Sequence, residues 1–494
     1  MSFSSSREGR ELVDGALRTF VADALIIPTG ILTSALLAHY LSPAGYGAFM
    51  LAATLIVWFE WTITSLFSRA VIKLVSEADD WRPIGTVVLR LYLVAGVGSA
   101  LFICLFAGVI GGAFKEPALA GYLRLFALEI PLFTLTQAHR HILLGFGKFK
   151  QQAVCSGVYW ISKLILVVVL LRLGLSISAA ILGSIGSSFI ALLVSRYYAR
   201  PSLIQRSSFQ GRKLWSYAAP LLILSLGLRL FDKLDLYMLK ALGGSLRDAG
   251  LFGAAQNLSL MPGFLALAFS PLLLSTLGRV LREGNQLLAR TISRDALRVS
   301  LWIVPFAGLT AGASVDIVRA IYGKEFVRAA PLLSLLIFGA VALVFNSVGM
   351  AILIAAGKLK WTLILSAPLP FIAAFGHVLM IPRWGMVGAA GVTLFTATMA
   401  AAATSFAVYR CWRVFPPLAT LCRCVLVCAL AFGMAAVWPA APLPFLFPLK
   451  LIAIGAFILL ALLVLGEFSA DEIGFAHSLL GWRTGAGGQA AREV

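Results

Sequence analysis

Apolar stretches about 20 residues long, separated by short polar or basic connections, recur along the whole chain. That length, coiled as a helix, crosses the ~30 Å hydrocarbon core of a bilayer. Fourteen such stretches are read, near 18–41, 46–68, 84–113, 121–144, 153–171, 175–198, 214–241, 249–277, 299–317, 329–356, 361–381, 387–409, 421–437 and 445–466. Backbone in lipid must satisfy its own hydrogen bonds, and these segments are far longer than barrel strands. The pattern therefore predicts an all-α polytopic membrane protein with about 14 transmembrane helices. Residues 1–17 are polar and the first apolar segment is long enough to span, so it is expected to remain as a helix rather than leave as a signal peptide. The longest connections, 199–213 and 278–298, are too short for a domain, and the tail after Glu467 reads as exposed and disordered. No enzyme and no catalytic residue is expected.

Composition agrees with this pattern. Of 494 residues, 60% are hydrophobic and 12% are charged, with a mean hydropathy of +0.94. Soluble domains carry about 25% charged residues, so most of this surface must face something other than water. The net charge of +19 raises the question of a nucleic-acid partner. With both termini cytoplasmic, most Lys and Arg fall on cytoplasmic connections, the richest being 196–213 and 278–298. That is the positive-inside bias, suited to an anionic leaflet, and no nucleic acid is implied. Cys422, Cys424 and Cys428 cluster without a nearby histidine or paired zinc spacing, so all six cysteines are read as packing residues and no metal or cofactor is expected.

An internal repeat organises the spans. Gly145-Phe146-Gly147-Lys148-Phe149-Lys150 returns as Ala355-Ala356-Gly357-Lys358-Leu359-Lys360, and Lys115-Glu116 returns as Lys324-Glu325. Arg172-Leu173-Gly174 matches Arg383-Trp384-Gly385, and Ala44-Gly45-Tyr46 matches Ala249-Gly250-Leu251. The order is kept at an offset of 205–211 residues. Six helices are an even number, so both copies enter from the same side, as in transporters with parallel repeats. The expected domains are an N-lobe at 1–200 with helices 1–6, a basic cytoplasmic linker at 201–213 and a C-lobe at 214–412 with helices 7–12. Two extra helices and a cytoplasmic tail fill 413–494. Gly385 to Gly391 offers a small-residue face for close helix approach.

Ionisable residues inside the spans mark candidate chemistry, because Asp, Lys or Arg at a helix centre costs roughly 2.5–3.5 kcal/mol on insertion scales. Lys163, Arg229, Lys233 and Arg90 are the candidate substrate-binding cations, suited to a phosphate. Asp23, Glu60, Asp232 and Asp235 are the candidate coupling or gating acids, although Arg229 and Asp232, three apart, also suit simple mutual neutralisation. Glu129, Asp316 and His377 are further polar outliers. His139-Arg140-His141 reads as an interfacial anchor at the cytoplasmic end of the fourth span, with phosphate capture as the alternative.

The segment from Leu36 through Ala44-Gly45-Tyr46-Gly47-Ala48-Phe49 resembles the junction of the first two helices in polysaccharide flippases of the multidrug/oligosaccharidyl-lipid/polysaccharide exporter superfamily. Tyr322-Gly323-Lys324-Glu325-Phe326, the two Gly-Lys-x-Lys turns, Trp384 to Ala390, and the seventh-helix aspartates followed by Ala249-Gly250-Leu251-Phe252 resemble other parts of that family. The likeness spans roughly 15–410. It implies translocation of an undecaprenyl-diphosphate-linked oligosaccharide from the cytoplasmic to the outer leaflet of a bacterial plasma membrane, by alternating access. H+ or Na+ are the candidate coupling ions, with the membrane potential as the alternative energy source, and polysaccharide polymerase machinery is a candidate partner. A drug antiporter of the same superfamily, a lipid II flippase and a membrane-embedded polymerase are the rival readings.

Overall fold

The computed structural model describes residues 22–202, 209, 233–438, 446–468, 472 and 474. Among these, the first half forms α1 (Ile26–Tyr40), α2 (Pro43–Ser76), α3 (Arg82–Ala113), α4 (Pro117–Phe126), α5 (Glu129–Gly145), α6 (Phe149–Arg172) and α7 (Ile177–Tyr198). There follow α8 (Leu234–Ala241), α9 (Leu246–Ser259), α10 (Met261–Arg282), α11 (Gln286–Leu301), α12 (Val304–Gly312) and α13 (Ser314–Tyr322). A 3-10 turn (Lys324–Ala329) leads into α14 (Ala330–Ala355), then α15 (Leu359–Ser366), α16 (Leu369–Trp412), α17 (Leu418–Val437) and α18 (Leu446–Val464). The protein is an all-α, multi-pass membrane protein.

Eleven described helices are long and apolar enough to cross a membrane, or twelve with the bent pair Gln286–Gly312 and Ser314–Tyr322 counted as one span. Two further features relate this to the fourteen expected. The stretch Lys360–Trp412 runs 53 residues, and Gly385, at φ 53 and ψ −132, breaks it between the expected spans 361–381 and 387–409. The expected span 214–241 lies mostly outside the described residues, which include only its end, α8. The tail after Glu467 lies outside them too, apart from residues 468, 472 and 474. The expected ninth span, 299–317, bends by 69° at Ala313.

Local chemistry sets the ends of these helices. Ser42 caps α2 by accepting from the Gly45 amide, with Pro43 in the first turn. Ser245 and Asp248 form a reciprocal capping box on α9. At the other end, Gly147 (φ 71) and Gly357 (φ 70) occupy the left-handed region that glycine adopts without steric cost. Phe146 N donates to Ile142 O, Gly147 N to Leu144 O and Lys148 N to Leu143 O. Ala356, Gly357 and Lys358 repeat that pattern onto Ile352, Ile354 and Leu353. Two turns 210 residues apart are thus built bond for bond alike, as C-terminal helix caps of the 6→1 kind. Gly174 and Gly385 also share positive φ, at 84 and 53. In the 385–391 face, Ala389 and Ala390 are fully buried while Gly391 meets nothing, so Gly385 serves the helix break and the alanines serve the packing.

The chain forms two compact units. Unit 1 comprises Met1–Met261, Val318–Gly339 and Leu363–Ala400. Its tightest crossing is between α2 and α9: a Cβ on Gly47 would sit 1.9 Å from Leu246 O, and one on Gly250 1.9 Å from Pro43 O. Small residues let backbones approach where lipid offers no hydrophobic drive for association.

Unit 2 comprises Pro262–Ile317, Ala340–Thr362 and Ala401–Val494. Cys424, Val427, Ala431 and Ala435 on α17 meet Ile454, Ile458 and Leu462 on α18, with Leu301, Leu309 and Ala313 completing the core. The three- and four-residue spacings place each set on one helical face. Cys424 packs in this core like a small hydrophobe, as expected of it. Just beyond α18, Glu467 is 2% exposed and pairs with Arg298 at 2.9 Å and Arg423 at 3.1 Å, while Thr420 Oγ1 and Trp302 Nε1 donate to it at 2.8 and 3.3 Å. Burial pushes this carboxyl up, but the hydrogen bonds from Arg298, Thr420, Arg423 and Trp302 outweigh it and hold it below the usual carboxylate range. A depressed carboxyl stabilises the fold above its unfolded value, near ~4.3, and that contribution fades as pH falls through the lower folded value. Acidifying from pH 7 to below 4 is therefore expected to lower the thermal midpoint of the wild type more than that of Glu467→Gln. Parallel midpoint-against-pH curves for the two would show that the cluster does not act this way.

Candidate functional site

Unit 1 holds two adjoining cavities, of about 150 and 260 Å³. Met50 on α2 and Asn257 on α9 line both. Lys163 and Trp160, three residues apart on α6, face the first with Thr29, Thr33 and Ser34 of α1. Trp58 and Trp61, three apart on α2, face the second with Lys233, the residue before α8. Each cavity thus brings one cation together with indole rings and neutral polar groups. Such surfaces suit a ligand with both anionic and hydroxylated parts, and tryptophan is adept at covering one side of a large apolar face.

Lys163 also bears on acids behind the cavity. It lies within electrostatic reach of Glu60 on α2 and Glu129 on α5, each 2% exposed, and its Nζ sits 5.7 Å from the centre of the Tyr159 ring. Tyr159 Oη and Ser188 Oγ donate to Glu129 Oε1 at 3.4 and 3.2 Å. Glu60 Oε1 has no hydrogen-bond partner among the described residues. Two buried acids thus share the neighbourhood of one lysine inside the helix cluster.

Lys233 is held by a second device. Its Nζ donates to Gln256 Oε1 at 2.6 Å, while Gln256 Nε2 donates to both carboxylate oxygens of Asp235 at 3.0 Å. Asp235, 5% exposed, also accepts from Thr393 Oγ1 at 3.2 Å and from the Leu236 amide at 2.8 Å. One glutamine side chain therefore relays the position of Asp235 to the cation at the cavity wall.

The end of unit 1 nearest these cavities is laced by hydroxyls. Ser34 Oγ lies 2.6 Å from Tyr46 Oη and 2.9 Å from Tyr322 Oη, and Asn257 Nδ2 donates to Tyr46 Oη at 3.1 Å. The Tyr46 ring meets Tyr322 at 6.1 Å and Phe326, edge-on, at 5.6 Å between centres. Two motifs far apart in sequence, Ala44-Gly45-Tyr46 and Tyr322-Gly323-Lys324-Glu325-Phe326, are thereby neighbours. Lys240 and Glu116 add an ion pair at 2.9 Å.

Other expected residues stand apart. Arg90 is half-buried on α3 and lines neither cavity. Asp23 pairs with Arg140 Nη2 at 2.7 Å and accepts from Ser156 Oγ. Arg229 and Asp232 lie outside the described residues. His139 and His141 are not an interfacial anchor: they are 2% and 8% exposed, with His139 Nδ1 2.8 Å from Leu135 O and His141 Nδ1 2.9 Å from Tyr92 Oη. Both are buried inside the helix bundle, His139 with its Nε2 left without a hydrogen-bond partner among the described residues, which the run His-Arg-His does not reveal. Sequence reasoning misses Trp58, Trp61, Trp160 and Asn257, since aromatic and amide side chains in apolar spans carry no charge to mark them.

Several known proteins resemble this chain. Of these, an uncharacterized membrane protein of Methanocaldococcus jannaschii is 36% identical over 94 residues, 19% of this chain and 18% of that protein, so the chain spans under a fifth of its length. Among solved structures, the lipid II flippase MurJ in an inward closed conformation superposes with a TM-score of 0.73 at 17% identity, over 95% of this chain and all of that one. A variant of the Vibrio cholerae MATE transporter VcmN gives 0.55 at 17% identity, over 82% of this chain and 97% of that one. A superfamily transporter from Pyrococcus furiosus, described as having a binding pocket of reverse polarity, gives 0.57 at 14% identity, over 84% and 96%. The model of a family described as polysaccharide biosynthesis protein matches residues 12–274, more than half of the chain. With that match, the chain belongs to the polysaccharide biosynthesis protein family, and its fold is the one these flippase and transporter structures share.

Proposed function

We propose that the protein is a flippase that carries a lipid-linked oligosaccharide, on an undecaprenyl diphosphate, from the cytoplasmic to the outer leaflet of a bacterial plasma membrane. The observation that carries this reading is the pairing of Lys163 and Lys233 with Trp58, Trp61 and Trp160 around adjoining cavities. A diphosphate cannot cross hydrocarbon unshielded, and two lysines supply the countercharge. Indole faces and amides suit the sugar that follows it, while the lipid tail stays in the bilayer. An inside-negative potential favours outward movement of the anion by about 2.3 kcal/mol per charge per 100 mV.

In this reading the repeated halves, 1–200 and 214–412, rock about the cavity, and the Tyr46–Tyr322–Asn257 network with the Lys240–Glu116 pair opens when the substrate leaves. Glu60 and Asp235 are the acids placed to couple that motion to H+ or Na+. Polysaccharide polymerase machinery would take the product at the outer face. A cationic drug substrate fits less well, since each cavity already holds a lysine. The superposition on MurJ favours lipid II as the second reading.

Losing a charge-assisted hydrogen bond costs about 1.5–3 kcal/mol, which is tenfold or more in affinity. Lys163→Gln and Lys233→Gln are thus each expected to lower export of lipid-linked oligosaccharide in vesicles at least ~10-fold, with membrane levels unchanged. Full transport by both variants would remove the site. Transport of lipid II but not of lipid-linked oligosaccharide by the wild type would replace the first reading with the second.

A further inference from the structure

A third cavity, of about 450 Å³, lies in unit 2 and shares no lining residue with the two cavities of unit 1. That volume is within the ~300–1,000 Å³ of small-molecule sites. Gln286 and Arg290 in the first turns of α11 form one wall, the turn at Gly357 another, and Cys411 and Trp412 at the end of α16 a third.

The chain segments that meet at this cavity are strongly basic. Arg279, Arg282 and Arg290 lie on the first, Lys358 and Lys360 on the second, Arg410 and Arg413 on the third, all exposed. Across 279–290, 357–360 and 410–413 the single acid is Glu283. Arg290 in the lining and six further cations on the segments that form the walls make a field that draws in an anion. The backbone is open as well: a Cβ at Gly357 would meet nothing within 4 Å.

The two copies of this turn differ in what covers their lysine. In the first half, Lys148 Nζ sits 5.5 Å from the centre of the Phe146 ring. Ala356 replaces that phenylalanine in the second half, so no ring of this turn covers Lys358. The lining is apolar beside the charge: Leu281, Ala355, Ala356 and Trp412 share the walls with Arg290. A soluble anion has no use for these apolar walls, whereas a lipid brings acyl chains beside its phosphate.

We infer that this basic cavity binds the phosphate headgroup of an anionic membrane lipid, with Arg290 as its principal contact and Leu281 and Trp412 against the acyl chains. The site is separate from the substrate cavities of unit 1 and does not depend on the substrate proposed for them. Its basic ends are those that the positive-inside pattern assigns to the cytoplasmic, anionic leaflet.

The test is thermal unfolding of the full-length protein in detergent with phosphatidylglycerol, phosphatidylcholine or sodium phosphate added separately. Phosphatidylglycerol is expected to raise the midpoint by several degrees, since a ligand that binds only the folded state stabilises it. Phosphatidylcholine should leave it unchanged. Arg290→Gln with Lys358→Gln should lose at least half of the rise, Arg290→Lys should keep most of it, and Lys163→Gln should keep all of it. Both exchanged side chains are exposed, so the variants are expected to fold. An equal rise with phosphatidylcholine, or an undiminished rise in the double variant, overturns the site. An equal rise with phosphate alone makes it a soluble-anion site and overturns the lipid assignment.

Discussion

Gly250→Val is expected to destabilise unit 1 by at least ~3 kcal/mol. Overpacking a core by a methylene or two usually costs about 1–3 kcal/mol, because neighbouring side chains can turn aside. At this crossing the obstacle is the carbonyl oxygen of Pro43, 1.9 Å from the position a Cβ would take, and no rotamer moves it. The crowding is reciprocal, since a Cβ on Gly47 would meet Leu246 O at the same distance. Valine at either position must push the first turns of α2 and α9 apart. That would also disturb Tyr46 and Asn257, which these two helices present to the hydroxyl network and to the first cavity. Gly98→Ala is the control. Gly98 lies in α3 with nothing within 4 Å of its Cβ position, and alanine there should gain about 0.5–1 kcal/mol of helix propensity. Thermal midpoints of the two variants in detergent decide the matter: equal values would mean that α2 and α9 do not cross this closely.

The glycine crossing also shows how far the chain can be read in advance. Ala44-Gly45-Tyr46 and Ala249-Gly250-Leu251 stand out as repeat counterparts, and hydropathy places a helix after each. That these helices press on one another is a tertiary fact, invisible to periodicity. The Gly-Lys-x-Lys turns are more legible. A glycine after a long apolar helix predicts a left-handed cap, and both copies have it with the same three hydrogen bonds. Span boundaries come less cleanly at Gly385. There the expected spans 361–381 and 387–409 bracket the break, and Pro382 and Arg383 precede it, but the helical stretch runs on across it with only Gly385 leaving helical geometry.

Ionisable residues in spans are conspicuous because the bilayer penalises them, but their roles depend on neighbours that sequence does not supply. Lys163 and Lys233 look alike in the chain. One bears on two buried acids and the other is held by Gln256, a residue with no charge to draw attention. Asp23 and Asp235 are both candidate coupling acids by sequence. Asp23 meets an arginine, whereas Asp235 meets an amide, a hydroxyl and a backbone N–H. The tryptophans carry the least signal of all: in a chain with 11 of them, an indole inside an apolar span looks like any other core or lipid-facing ring.

Lys450 is the clearest residue that span reading passes over, and its removal is the second large effect expected. It lies in the first turns of α18 at 2% exposure, with Nζ 2.8 Å from Asp316 Oδ2 on α13 and 3.0 Å from Trp438 O. Had the pair been exposed, its loss would cost ~0–1 kcal/mol. A buried pair behaves differently, because taking away one partner leaves the other charge desolvated and alone, at about 3–5 kcal/mol. Lys450→Met and Asp316→Leu are each expected to lower stability by that amount. The double variant should recover most of the loss, since two apolar side chains leave no orphaned charge. Asp316 starts α13, just past the 69° bend in the ninth span, so the pair fastens the start of the last helix to that broken segment. A double-variant cycle on thermal midpoints separates this from simple packing. Additive losses would mean that neither side chain depends on the other, whereas near-complete recovery would show that each charge needs the other.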